Sequence, residues 1–331
     1  MLTFQDLPDE LLLKILSFSQ TKDLIGCGQV SKRIRRISHD SILWVTANLK
    51  NKIVKTELLE MILRKGCKIL NLRNSMILGN LSSNIKSHLR VLKFSQPQFN
   101  IHCECDGDCN CAPDCNEKTG VLEELLFSCC SLQHLVMEGV LLTPKMAKSI
   151  CKNGKTLQIL NLSFSDLDEP ILKEIILSCQ ELKEVDLAYV NYGEGIEYAD
   201  LEFLAENITP NVEKLNLSST SQDPEGEFND YCFEILLRRC NKIKMLSLEA
   251  TYTTDYSLSN IKQCLNCTLE ELSLGPCDEI SYSGFLELKS MPRLKILNLH
   301  FNEDVDQDIL KEDIQDLRKL LPHMMINVSH E

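Results

Sequence analysis

Residues 157–163 of the chain read LQILNLS, and their spacing constrains the whole molecule. Leu157, Leu160 and Leu162 fall in the order L-x-x-L-x-L. The order returns at Leu89-Leu92-Phe94, Leu132-Leu135-Met137, Leu182-Val185-Leu187, Val212-Leu215-Leu217, Ile243-Leu246-Leu248, Leu269-Leu272-Leu274 and Leu294-Leu297-Leu299. The middle residues of the last seven copies lie 25, 25, 30, 31, 26 and 25 residues apart. One copy would be chance in a leucine-rich chain; eight in near register are a structural repeat. Each unit is long enough for a short strand, a turn and a returning helix. No unit of that size buries its apolar side alone, so neighbours must stack.

This period and spacing predict leucine-rich repeats. The expected class is α/β: a right-handed solenoid with a curved parallel sheet inside and helices outside. In each strand the residues between the inward leucines face the concave side. That places His134, Glu138, Asn161, Glu184, Asp186, Asn216, Glu249, Glu271, Asn298 and His300 on one surface, with Tyr189 just past its strand. Acids outnumber bases there, which favours a partner with a basic or polar surface. The net charge of −13 points the same way, because anionic lipid and nucleic acid are repelled by an acidic surface. Neither membrane nor nucleic acid is an expected partner.

Residues 4–44 follow a different pattern. Asp6 is placed to cap a helix whose first turn holds Pro8, Asp9 and Glu10. Leu11, Leu12, Ile15 and Leu16 then form a helical stripe. A second short helix fits TKDLIGCGQV and a third fits SKRIRRISHD, with Val30, Ile34 and Ile37 on one side and Trp44 closing the segment. Lys32, Arg33, Arg35 and Arg36 read as a solvated helix face.

LPDELLLKILSF, CGQVSKRIRRIS and DSILW together resemble an F-box. With CSLQHLVMEGVLL, LQILNLS and LPHMMINVSH further on, the chain is similar to the F-box proteins with leucine-rich repeats from about residue 4 to 330. The resemblance implies a three-helix F-box over 1–45 and about ten repeat units over 46–331. It also implies a function: substrate recognition for a cullin-RING (SCF-type) ubiquitin ligase. The F-box would bind the S-phase kinase-associated protein 1 adaptor through Leu7, Pro8, Glu10, Leu11, Ile15, Val30 and Trp44. The adaptor would dock on the cullin-RING scaffold, and the repeats would hold a protein substrate. In one member of the family an aromatic, an acid and an arginine just past three successive strands hold a phosphorylated client and a small cyclin-kinase accessory subunit. Tyr189, Ala250 and Pro276 stand at those places here, so only the aromatic is kept. The implied location is nucleus and cytoplasm.

The N-terminus has no basic region followed by an apolar core, so no secretory signal is expected and the sixteen cysteines are expected reduced. Cys129, Cys179 and Cys240 each stand three residues before a strand's first apolar position, where a small buried side chain fills the helix-to-strand corner. An insert at 96–119 is different. It packs Cys103, Cys105, Cys109, Cys111 and Cys115 close together, a density that suits zinc, although the spacing is not the paired C-x2-C of common zinc modules. A solvated loop of reduced thiols is the alternative.

No catalytic constellation is present in the sequence: the histidines are scattered, with no H-E-x-x-H helix, G-x-S-x-G elbow or P-loop. The expectation is a non-catalytic receptor that needs no cofactor. The competing readings are a leucine-rich binding scaffold outside any ligase and a metal-binding protein built on the insert.

Overall fold

A computed structural model describes residues 7–82, 84–96, 113–191, 198–219, 230–251, 253–275, 280–301 and 307–330. The chain divides into two compact units, Met1–Val136 and Met137–Glu331.

The first unit opens with α1 (Asp9–Leu16), α2 (Thr21–Cys27), α3 (Lys32–Ser38) and a 3-10 turn at Ser41–Trp44. Both α1 and α2 pack against α3. These are the three helices expected from sequence, with one shift at the start. Pro8 is itself the N-cap of α1, and its carbonyl accepts from the N–H groups of Leu11 and Leu12 at 3.1 Å. Asp6, the expected cap, lies outside the described residues. Ser31 caps α3, accepting from Ile34 N at 3.1 Å. Next come β1 (Thr46–Asn48), β2 (Ile53–Lys55), α4 (Thr56–Arg64), β3 (Ile69–Arg73), β4 (Met76–Leu78), β5 (Val91–Ser95) and α5 (Pro113–Ser128). β1, β3 and β5 form a parallel sheet, and β2 pairs with β4 in a small parallel ribbon that sequence periodicity does not reveal. Gly66 ends α4 with φ +81, as a helix stop of this kind requires.

The boundary between the units falls inside β6 (His134–Glu138). The second unit continues with α6 (Pro144–Lys152), β7 (Ile159–Asn161), α7 (Glu169–Ser178), β8 (Glu184–Asp186), α8 (Tyr198–Asn207), β9 (Lys214–Asn216), α9 (Asp230–Arg239), β10 (Met245–Glu249), α10 (Asp255–Leu265), β11 (Glu271–Gly275), α11 (Tyr282–Leu288), β12 (Ile296–Phe301), α12 (Gln307–Leu320) and β13 (Met325–His330). From β7 to β13 the strands pair in parallel and in sequence order. Consecutive helices from α6 to α11 pack on one another. This is the stacked strand-and-helix solenoid that the period demanded. α12 and β13 close the unit, β13 pairing with β12.

Every residue of the eight L-x-x-L-x-L sets is buried. Each such side chain contributes roughly 1.5–3 kcal/mol relative to an exposed one. The corner cysteines behave as filler. Cys129, Cys179 and Cys240 are buried, and the Cys240 thiol points at Thr209 O, 3.6 Å away. Burial pushes the thiols of Cys179 and Cys240 up to about 12, which keeps them protonated and inert. Among the described residues no helix is long and apolar enough to cross a membrane.

Candidate functional site

Two surfaces carry the residues singled out by sequence. The first is on the three-helix segment. The apolar stripe of α1 splits in two. Leu12 and Leu16 turn inward with Leu24, Ile34, Ile37 and Leu43, while Leu11 and Ile15 stay 47% and 44% exposed. Val30, which sequence placed beside Ile34 and Ile37, precedes α3 and is 75% exposed. Pro8 and Glu10 are also exposed, and Leu7 is half-buried. Phe18, at 82% exposure, Ile25 and Ile42 join the uncovered apolar residues. Sequence reasoning passed over these three because each falls outside a clean helical stripe.

Trp44 is the correction. It was grouped with the adaptor contacts, yet it is only 2% exposed and its Nε1 donates to Ser38 O at 2.8 Å. A large side chain with its one donor satisfied inside the segment is core, not contact surface. The basic cluster is also more than a solvated face. Arg33 donates to Asp9 Oδ1 at 2.8 Å and to Leu7 O at 2.6 Å, Arg36 pairs with Asp9, and Arg35 donates to Gly28 O at 2.6 Å. The hydrogen bond from Arg33, with the charges of Arg33 and Arg36, holds the Asp9 carboxyl below its usual range. These bonds fix the start of α1 against α3, so the exposed apolar residues of α1 are presented on a braced frame.

The second surface is the strand face of the second unit. Parallel register puts Asn161, Asp186, Asn216, Ser247, Ser273, Asn298 and Asn327 in one row. Its two halves differ. In the first half, each residue of the row captures the N–H two residues ahead: Asn161 that of Ser163 (2.9 Å), Asp186 that of Ala188 (3.1 Å) and Asn216 that of Ser218 (3.1 Å). Such a bond competes with the strand ladder, and β7, β8 and β9 are each three residues long. β10 and β11, with serine in the row, run for five. In β12, Asn298 gives its amide to Glu271 Oε1 and Ser273 Oγ at 3.0 Å, and the strand runs for six.

Asp186 is the electrostatic centre of the first half. Asn161 Nδ2 donates to it at 3.0 Å and the Asn216 side chain also bonds it. Burial foremost, with the nearby Glu138 charge, raises its carboxyl above the ordinary range, against the pull of the Ala188 N–H and the Asn216 amide. Glu184 pairs with Lys214 at 3.0 Å. Just beyond β7 and β8, Phe164 and Tyr189 stack with ring centroids 4.7 Å apart and planes 5° apart, both at positive φ. Phe164 has no leucine-repeat signature and was missed in sequence.

In the second half, His300 Nε2 lies 2.9 Å from Glu249 Oε1 although β11 runs between their strands. Gly275 makes the span feasible. It stands in register with Glu249, and a Cβ there would come within 2.5 Å of His300 Cβ and 2.6 Å of His300 O. Ser329 Oγ bonds His300 Nδ1 at 2.9 Å, and Asn327 Nδ2 donates to Asn298 Oδ1 at 2.8 Å. His134 is half-buried on β6, in the first unit. Ala250 has the same left-handed backbone as Tyr189, while Pro276 lies outside the described residues. So do Cys103, Cys105, Cys109 and Cys111; Cys115 falls in the first turn of α5, and its side chain is likewise undescribed.

A braced helical segment with uncovered apolar residues, followed by stacked strand-helix units, defines an F-box protein with leucine-rich repeats. Residues 4–50 match the F-box-like family, and residues 111–330 match the family described as the SKP2 LRR domain. The chain belongs to that family. It is 25% identical over 240 residues to an F-box/FBD/LRR-repeat protein of Arabidopsis thaliana, across 69% of this chain and 51% of the relative. The chain thus spans about half the length of that curated relative.

Proposed function

We propose that this chain is the substrate-recognition subunit of an SCF-type cullin-RING ubiquitin ligase. The observation that carries the reading is the uncovered apolar set Pro8, Leu11, Ile15, Phe18, Ile25, Val30 and Ile42 on a segment of about forty residues that buries Leu12, Leu16, Leu24, Ile34, Ile37, Leu43 and Trp44. Apolar residues concentrated in this way mark a partner surface. The family membership supports the S-phase kinase-associated protein 1 adaptor as that partner, with the cullin-RING scaffold bound through it. The strand face of the second unit takes the protein substrate. The chain itself supplies no catalytic group; it raises the substrate's effective concentration near the charged conjugating enzyme. Nucleus and cytoplasm are the proposed compartments. Zinc binding by the cysteines between 103 and 115 is a separate proposal, decided by the metal content of the purified chain.

The test is binding of the purified chain to the adaptor, comparing wild type with Leu11→Asp/Val30→Asp. Both positions are exposed, so the double variant keeps its fold. Each charge placed in a buried apolar contact costs at least ~2 kcal/mol of binding. Stoichiometric binding that the variant loses supports the reading. A folded wild type that does not bind the adaptor removes it and leaves a leucine-rich scaffold.

A further inference from the structure

The helix-to-strand corner before β11 breaks the pattern of its neighbours. Three residues before Leu269, where other repeats place Cys129, Cys179 or Cys240, stands Asn266. Its Oδ1 is buried, and no donor among the described residues reaches it. The thiols have moved to either side: Cys264 inside the last turn of α10, and Cys267 one residue past the corner. Unlike the corner thiols, Cys264 is only partly buried and Cys267 is exposed.

Local geometry brings the two together. Asn266, the C-cap of α10, has φ −47 and ψ −39, and the N–H groups of Thr268 and Leu269 both reach Leu265 O at 3.0 Å. Residues 264–267 therefore follow a helical path. On an α-helix, residues three apart have Cα atoms about 5 Å apart, from the rise and radius of the helix. A disulfide takes Cα separations of roughly 4.4–6.8 Å. Helical Cβ atoms at this spacing are about 5–6 Å apart, so closure needs a movement of about 1–2 Å. Cys267 lies beyond the last residue of α10, where no regular helix has to break.

Exposure, not charge, separates this pair from the inert corners. Burial leaves the Cys264 thiol raised, with the Arg238 guanidinium on α9 offsetting part of the rise and the Glu234 charge adding to it. Glu234 is itself engaged by Arg238 at 2.5 Å and by the Tyr256 hydroxyl at 3.1 Å.

We infer that Cys264 and Cys267 form a dithiol modification site that closes to a disulfide by exchange with a low-molecular-weight disulfide such as oxidised glutathione. The Cys267 thiolate, the accessible one, attacks one sulfur of the reagent. The reagent's S–S bond breaks, one glutathione leaves as a thiolate and takes up the proton that Cys267 released. Cys264 then loses its proton and attacks Cys267 Sγ. The mixed disulfide breaks, the Cys264–Cys267 bond forms and the second glutathione leaves as the thiol. The pair has lost two electrons and two protons, and one reagent disulfide has become two thiols.

The experiment incubates the full chain in glutathione buffers of rising oxidised fraction. After an acid quench, free thiols are alkylated in denaturant and the digest is mapped by mass. The expected result is a 264–267 peptide lighter by two hydrogens that escapes alkylation, at ratios where Cys129, Cys179 and Cys240 remain alkylated. Cys264→Ser should leave a single stable glutathione on Cys267, because the resolving thiol is gone. Two reduced, alkylated cysteines at every ratio, or separate glutathiones on both in the wild type, would overturn the inference.

Discussion

The three-helix segment and the strand face of the second unit are built in opposite ways. The segment leaves apolar side chains outside and braces them with polar ones: Arg33 and Arg36 on Asp9, and Arg35 on Gly28 O. The strand face keeps its apolar side chains inside and presents hydrogen-bonding groups that are largely engaged with one another, Asn161 with Asp186 and Asn298 with Asn327. A surface of the first kind gains binding energy from area removed from water and suits one constant partner. A surface of the second kind gains little from area. It selects by the match of donors, acceptors and charge, which suits substrates that differ while the frame stays the same.

The contrast is sharpest at neighbouring residues. Leu12 is fully buried and Leu11 is not. Leu12→Ala is expected to cost about 2–5 kcal/mol of stability, as a core truncation does. Trp44→Ala belongs with it, at about 3–5 kcal/mol. Leu11→Ala should change stability by no more than about 0.5 kcal/mol. It should instead weaken adaptor binding. Denaturant unfolding and adaptor titration of the three variants check this; Leu11→Ala unfolding as readily as Leu12→Ala would erase the distinction between the two sides of α1.

How much of this was legible in the sequence follows the same division. The inward sets of the repeats were readable because a recurring interval of 25–31 residues leaves no other arrangement for so many leucines. The direction of α1 was not. Leu11 and Leu12, or Ile15 and Leu16, are adjacent on the helix, so the stripe is wide enough to serve a core and a partner at once. Only the packing of α3 decides which pair turns in. Trp44 misled because a large aromatic at the end of a motif suits either role, and the free Ser38 carbonyl that receives its N–H cannot be seen in a pattern. Phe164 and Gly275 act across strands, and no spacing within a single repeat reports such a pairing.

On the strand face the largest expected effect is at Gly275. A Cβ would collide with the His300 backbone, and the residue has φ +156, a region that favours glycine. Gly275→Ala should cost about 1–3 kcal/mol by strain. Removing the cross-strand contact to Glu249 together with the bond to Ser329 by His300→Ala should cost no more than about 1 kcal/mol, because the side chains are partly solvated. A Gly275→Ala variant no less stable than His300→Ala would show that the close approach is not a constraint. Losing the Phe164 to Tyr189 stack with Tyr189→Ala should cost about 0.5–1.5 kcal/mol.

The smallest effect is the most diagnostic. Burial and the Glu138 charge raise the Asp186 carboxyl, so the folded chain holds a proton there that the unfolded chain has already released. Between the ordinary carboxylate value and the raised one, the folded state binds more protons, and stability falls as pH rises. Asp186→Asn keeps the shape and the acceptor for the Ala188 N–H but removes the charge. Its Nδ2 replaces the oxygen that accepts from Asn161, so the variant should start below wild type at acid pH and gain on it as pH climbs from the ordinary carboxylate value to the raised one. Asp9 provides the opposite control: its carboxyl is lowered, so its contribution is present above the ordinary range and is lost as pH falls through the lowered value. Unfolding curves from pH 3 to 8, with Asp9→Asn alongside Asp186→Asn, should therefore diverge from wild type in opposite directions. If Asp186→Asn instead loses stability toward neutral pH, the ionised carboxylate is a net asset to the fold. The strand face would then hold its charge for structure and not for a substrate.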